Sequence, residues 1–300
     1  MTAAKPASLL PGLVYAAAGA IAFSGKAIIV KLAYRWGVDA VQLIMLRMLF
    51  ALPLFVAMAW WAGRGQPPLS GREWAGIVGL GLTGYYLASF LDFAGLAYIT
   101  ASLERLILYL SPTLVLLLGW LMHHKPFTRM QLAGMAVSYV GVAMVFGHEL
   151  GAMGPGTVWG SVLVFGSAVS YAIYLVYSGQ MVKTLGSIRL VGLATSFACL
   201  CCIVQFVVLR PLNTAFAVAP QVIWLSVLNA TLCTAVPVLL VMMAIERIGP
   251  ALASQIGMIG PLSTIAMSAL LLGEPFTGWI AVGTVLVLAG IWVFTRGASR

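Results

Sequence analysis

Five ionisable residues stand inside long apolar runs of this 300-residue chain: Lys26, Arg47, Asp92, Glu104 and Arg105. In a hydrocarbon setting a charge costs about 3 kcal/mol or more unless it is paired or wetted. Three bases face two acids, so mutual neutralisation leaves one positive charge over. A leftover cation in a wet cavity can receive a carboxylate or another anionic group. An acid at that depth can also titrate, which makes Asp92 and Glu104 candidate proton carriers. The competing reading is structural, with every charge spent on pairing.

Neutral groups recur near these charges. Tyr85, Ser89 and Asp92 are spaced by four and three residues and share one face of a helix, with Thr83 and Tyr86 on the neighbouring face. Tyr171, Tyr174 and Tyr177 recur every third residue, and Tyr109 lies just before Pro112. Asn229, Thr231, Thr234 and Gln255 add polar groups in the second half. A cavity walled by tyrosines and small polar side chains suits a small amphipathic solute. Residue by residue, aromatic packing between helices competes with that reading.

The elements that carry these residues are set by composition. The chain is 62% hydrophobic and 8% charged, whereas soluble domains are roughly half apolar and about a quarter charged. Its solvent must be lipid. Ten spans are expected: 11–33, 40–62, 73–96, 101–122, 130–147, 157–180, 188–209, 221–245, 250–272 and 277–295. Each is about the 20 residues needed to cross a bilayer. Ten Lys and Arg in the connections and tails then fall on one side: Lys5, Arg64, Arg72, Lys125, Arg129, Lys183, Arg189, Arg247, Arg296 and Arg300. Lys31, Arg35 and Arg210 fall on the other. That bias puts both termini in the cytoplasm, in an inner (plasma) membrane. All five buried charges then lie in the outer half of the bilayer.

The halves repeat. A shift of 149 residues lays Pro112 on Pro261, "KPFT" on "EPFT", and Gly134 and Gly141 on Gly283 and Gly290. Residues 1–149 and 150–300 are therefore expected to form two five-helix repeats. With five spans each, the second enters from the opposite side, which accounts for Lys125 in one copy and Glu274 in the other. Inverted repeats are a signature of carriers that alternate access to a midplane site. Pro112 and Pro261, matched in mid-span, are expected to act as hinges, each freeing the carbonyl four residues before it, at Leu108 and Gly257. The glycine pairs leave the fifth and tenth spans as scaffold away from the cavity, or as the seam of a homodimer.

The stretches "LSPTLVLLLGWLMHHKPFT" and "IGPLSTIAMSALLLGEPFT", each followed by a Gly-rich last span, resemble the drug/metabolite transporter superfamily of EamA type. The resemblance covers nearly the whole chain; only Lys125, where the family pattern has an acid, departs from it. It implies an all-α membrane protein with ten helices as two inverted five-helix repeats around a central cavity, and export of small metabolites. Within the superfamily the chain looks most like the amino-acid exporters, including the aromatic amino acid exporters. Other cargo, such as nucleotide sugars, phosphorylated sugars or drugs, is the alternative, and an intramembrane enzyme a further one.

Other classes find little support. The net charge of +9 is scattered singly among apolar runs, not gathered into the basic face that nucleic acid needs. "GHELG" at 147–151 lacks the second His of a zinc protease, and "SGKA" at 24–27 lacks the spacing of a phosphate loop. Cys199, Cys201, Cys202 and Cys233 have neither metal-site spacing nor a nearby His cluster. No cofactor is expected; the partners are the lipid bilayer and a small-molecule substrate.

Overall fold

Helices account for nearly all of the described residues. The computed structural model describes residues 10–123, 128–241, 243–244, 247, 256 and 259–298, and no strand occurs among them. The helices are α1 (Leu10–Tyr34), α2 (Ala40–Gly63), α3 (Gly71–Leu96), α4 (Ala101–Leu108), α5 (Ser111–His123), α6 (Arg129–Met153), α7 (Gly156–Leu185), α8 (Ser187–Leu209), α9 (Pro220–Val241), α10 (Ile259–Met267) and α11 (Gly278–Ala298). Among the described residues, seven helices are long and apolar enough to cross a bilayer: α1, α2, α3 and α6 to α9. Their outer faces are apolar. Val208 is 75% exposed, Trp224 69% and Leu10 67%. Such a surface is stable only against lipid. Exposed tryptophans gather near helix ends, where the guanidinium of Arg64 sits 3.7 Å from the Trp60 ring centroid and that of Arg296 3.9 Å from Trp292, as membrane-interface anchors do.

Local chemistry sets the ends. Asp39 caps α2 through Gln42, and Ser70–Glu73 and Thr128–Gln131 form reciprocal capping boxes at the starts of α3 and α6. Helix α6 outruns its expected end at Gly147. It continues to Met153 and stops at Gly154, whose φ of 83° only glycine adopts readily. "GHEL" is thus helical, and Glu149 is buried inside the bundle.

Three widened turns occur among the described residues. Gly81–Leu87 of α3, Thr231–Ala235 of α9 and Ser268–Leu272 directly after α10 are π-helical, and the 149-residue shift places the first on the second. A π turn displaces the ordinary ladder and frees carbonyls that lipid cannot satisfy. Hydroxyls take them: Ser170 and Ser167 of α7 donate to the carbonyls of Thr83 and Ala88, and Thr234 donates to that of Asn229, all at 2.7 Å.

The fourth span breaks where Pro112 demands it. Helix α4 ends at Leu108, a turn follows at Tyr109–Leu110, and α5 begins at Ser111. The Leu108 carbonyl accepts the Ser111 hydroxyl at 2.5 Å. Pro261 is the third residue of α10; Gly257, whose carbonyl it was expected to free, lies outside the described residues.

Helices α6 and α11 pack glycine to glycine. A Cβ on Gly290 would meet the Gly134 carbonyl at 2.6 Å, and one on Gly141 would meet the Gly283 carbonyl at 2.7 Å. Between them the Ser138 hydroxyl donates to the Val287 carbonyl at 3.3 Å. Numbers rise along one helix as they fall along the other, so the pair is antiparallel. The glycine stripes are filled within a single chain.

Candidate functional site

Four of the five buried charges come together. Lys26 of α1 meets Asp92 of α3 at 2.5 Å and lies 3.8 Å from Glu104 of α4. The other Glu104 oxygen is 3.7 Å from Arg105 Nε. Asp92 is 1% exposed and Glu104 0%. Asp92 Oδ1, both Glu104 oxygens and Arg105 Nε and Nη2 find no hydrogen-bond partner among the described residues. Two carboxylates thus share one ammonium, with a guanidinium beside them.

Arg47 of α2 is the base left over. Its nearest polar partner is neutral: Nε donates to the Thr234 hydroxyl at 3.2 Å, inside the π segment of α9. Its guanidinium lies 5.1 Å from the centroid of the Phe93 ring. It is 5% exposed, and Nη1 has no partner. A cation–π contact returns about 2 kcal/mol when desolvated and a hydrogen bond from a charged donor about 1.5–3 kcal/mol. Leaving a buried charge uncompensated costs about 3–5 kcal/mol, so these contacts offset it in energy while leaving Nη1 without an acceptor.

The tyrosines form a second cluster. Tyr85 and Tyr174 share a hydroxyl–hydroxyl hydrogen bond of 3.1 Å with their rings edge to face at 5.2 Å. Tyr171 stacks on Tyr174 at 5.6 Å. Tyr85 and Tyr86 also pack against the core of α1, α2 and α8. Tyr177 is exposed and points away. Ser89, one turn before Asp92, is half-buried. Tyr109 sits at the break of the fourth span, where its hydroxyl and that of Ser24 flank Gly260; Ser24 reaches the Gly260 carbonyl at 2.7 Å. The break therefore abuts α10 one residue before Pro261. Gln255 lies outside the described residues.

A cavity of about 530 Å³ opens at the end of the bundle away from Leu10 and Ala298. Lys31, Arg35, His148, Glu149 and Glu274 line it. Its floor is the N-terminus of α4. Glu149 accepts from the Thr100 amide at 3.4 Å and from the Thr100 hydroxyl, and Glu274 accepts from the Ala101 amide at 3.0 Å. Lys31 donates to the Ile99 carbonyl at 2.7 Å, and Arg35 to that of Leu272. Helices α6 and α11, the expected fifth and tenth spans that were to stay clear of any cavity, supply His148, Glu149 and Ile280 here, with Thr277 just before α11. Glu149 lies two residues beyond the expected end of the fifth span at 147 and was weighed only as part of an incomplete zinc-protease motif. The repeat of Pro-Phe-Thr at 126–128 and 275–277, with the charge reversed just before it, was the available signal for Glu274. A second cavity, of about 560 Å³, lies between α3 and α7 and is lined by Gly76, Thr83 and Tyr177 among others.

Comparison with known proteins adds a family. The profile of the EamA-like transporter family matches residues 10–147 and again 158–296. The uncharacterized transporter YcbK of Bacillus subtilis (strain 168) is 29% identical over 273 residues, 88% of this chain and 86% of that one. An uncharacterized transporter of Archaeoglobus fulgidus is 24% identical over 274 residues, 91% and 93% of the two chains. One solved crystal structure aligns with a TM-score of 0.63 at 18% identity, covering 98% of this chain and 100% of that one; this likeness speaks for the fold alone.

Proposed function

The chain belongs to the EamA-like transporter family, a multi-pass membrane transporter, and from that premise we propose that it is a secondary carrier that exports amino acids from the cytoplasm by alternating access. The observation that carries the reading is the antiparallel glycine seam. Gly134 meets Gly290 and Gly141 meets Gly283. The 149-residue shift converts each contact into the other, and Ser138 and Val287, equivalent positions, meet between them. Such a pattern supports ten helices in two inverted five-helix repeats, residues 1–149 and 150–300. The matched π segments and the break at Pro112 support a structure able to tip one repeat against the other. The Lys and Arg distribution supports cytoplasmic termini in an inner membrane.

Amino-acid cargo is supported by the chemistry of the interior. Buried groups of both signs share elements with tyrosines, Asp92 with Tyr85 on α3 and Arg105 with Tyr109 one turn later, so that a zwitterion with an aromatic or apolar side chain would find a partner for each part. Lys26, Arg47, Tyr85, Tyr86, Ser89, Asp92, Glu104, Arg105, Tyr109, Tyr171, Tyr174 and Gln255 are the proposed lining, with Pro112 and Pro261 as hinges and Asp92 or Glu104 as the proton carrier. A homodimer would use faces other than the glycine stripes. The test is counterflow in vesicles holding the purified protein. Preloaded L-phenylalanine should drive uptake of labelled L-phenylalanine, and a nucleotide sugar or a cationic drug should not compete. Competition by those compounds with no effect of amino acids would overturn the cargo. Transport indifferent to a pH gradient would remove the proton.

A further inference from the structure

Resting on the amino-acid reading, we propose that Arg47 is the anchor for the cargo's carboxylate, with the Asn229 side-chain amide as its neutral companion, so that this end of the solute is held between α2 and the π segment of α9. Among the described residues Arg47 has no acidic partner within ion-pair distance; the paired bases are Lys26, Arg105 and Arg210. Thr234 fixes the guanidinium by accepting from Nε, and its own proton goes to the Asn229 carbonyl. Nε is thereby committed and Nη1 is left as a donor with nothing to donate to. Phe93 covers the guanidinium face, which directs further hydrogen bonding into the guanidinium plane, where a carboxylate binds through two parallel bonds. Asn229 is fully buried, and neither its Oδ1 nor its Nδ2 has a partner. Buried donors of this kind are normally satisfied, so orphans on two spans that Thr234 ties together mark a place for an acceptor.

The placement has a mechanical sense. Arg47 belongs to the first repeat and Thr234 and Asn229 to the second. A carboxylate bound there would contact both, and it would cancel the one charge that the interior leaves over.

The test uses the full-length protein and three aromatic probes that differ only in their polar end: L-phenylalanine, phenylpyruvate and phenethylamine. Arg47→Met with Thr234→Val removes the charge and its hydrogen-bond partner together, at the expense of the bond that Thr234 gives the Asn229 carbonyl; Arg47→Lys keeps the charge and loses the two-pronged geometry. Losing a buried charge-assisted contact should weaken L-phenylalanine and phenylpyruvate binding by about 30-fold or more in the double variant, with phenethylamine changed less than about 3-fold. Arg47→Lys should fall between, and should decide the matter if the double variant does not fold. Unchanged L-phenylalanine binding in these variants would overturn the anchor and leave amino-acid export standing. Wild-type protein that binds phenylpyruvate but no amino acid, and loses it in the double variant, would keep the anchor and overturn the cargo. Wild-type protein that binds neither carboxylate would overturn both.

Discussion

Glu274 pins the start of α4, and removing its charge should loosen one end of the bundle by a calculable amount. Its carboxylate accepts from the Ala101 amide at 3.0 Å and stands 3.5 Å from the Ser102 hydroxyl, at the positive end of α4. A carboxylate there gains about 0.3–1 kcal/mol from the helix dipole, and a hydrogen bond to a charged group is worth about 1.5–3 kcal/mol against about 1 kcal/mol for a neutral one. Glu274→Gln keeps an acceptor and loses the charge, a loss of about 1 kcal/mol and hence about fivefold in the opening equilibrium. Glu274→Ala loses the bonds as well, about 2–3 kcal/mol, or roughly 30- to 150-fold. Amide hydrogen exchange in lipid nanodiscs reads this directly. Exchange across Ala97–Leu108 should quicken in that order, with residues 134–145 of the seam unaffected. Equal protection of Ala97–Leu108 in wild type and Glu274→Ala would show that the carboxylate does not hold this end closed.

Other consequences are as direct. Gly290→Ala sets a methyl 2.3 Å from Ser138 Oγ and 2.6 Å from the Gly134 carbonyl, so the melting temperature should fall by several degrees, as overpacking of about 1–3 kcal/mol requires; Gly147→Ala, with nothing within 4 Å, should leave it unchanged or slightly raised. Asp92→Asn strips Lys26 of its closest partner and should cost about 3–5 kcal/mol, whereas Lys26→Met with Asp92→Leu should regain most of that in thermal melts. Tyr85→Phe and Tyr174→Phe each break the one hydroxyl pair they share; the two changes together should cost about as much as either alone, about 1 kcal/mol in a double-mutant cycle.

Much of the fold was legible because lipid imposes one rule: apolar stretches of span length are helices. The proline rule located the break at Leu108–Ser111, and charge arithmetic showed that one base would lack a partner. Which base it is depends on which helices adjoin, a long-range fact with no local trace. Arg105 follows Glu104 in sequence and lies beside it, while Arg47 has no acid beside it in sequence and none within ion-pair distance among the described residues. The π segments were hidden for another reason. A single extra residue in a turn changes no composition, and it shows only in which carbonyl Thr234 reaches. Glu149 was missed because the apolar run ends at 147, whereas the helix continues to Met153 and Glu149 is buried against Thr100.

The seam between α6 and α11 places Ser138 and Val287, twin positions of the two copies, in contact at its middle. In the rocking proposed above, a joint whose glycine contacts are exchanged by the 149-residue shift would act as a fulcrum that favours neither side. A preference for one open face would then come from contacts that lack a twin, and the acid of Glu274 against the lysine of its sequence counterpart Lys125 is such an inequality.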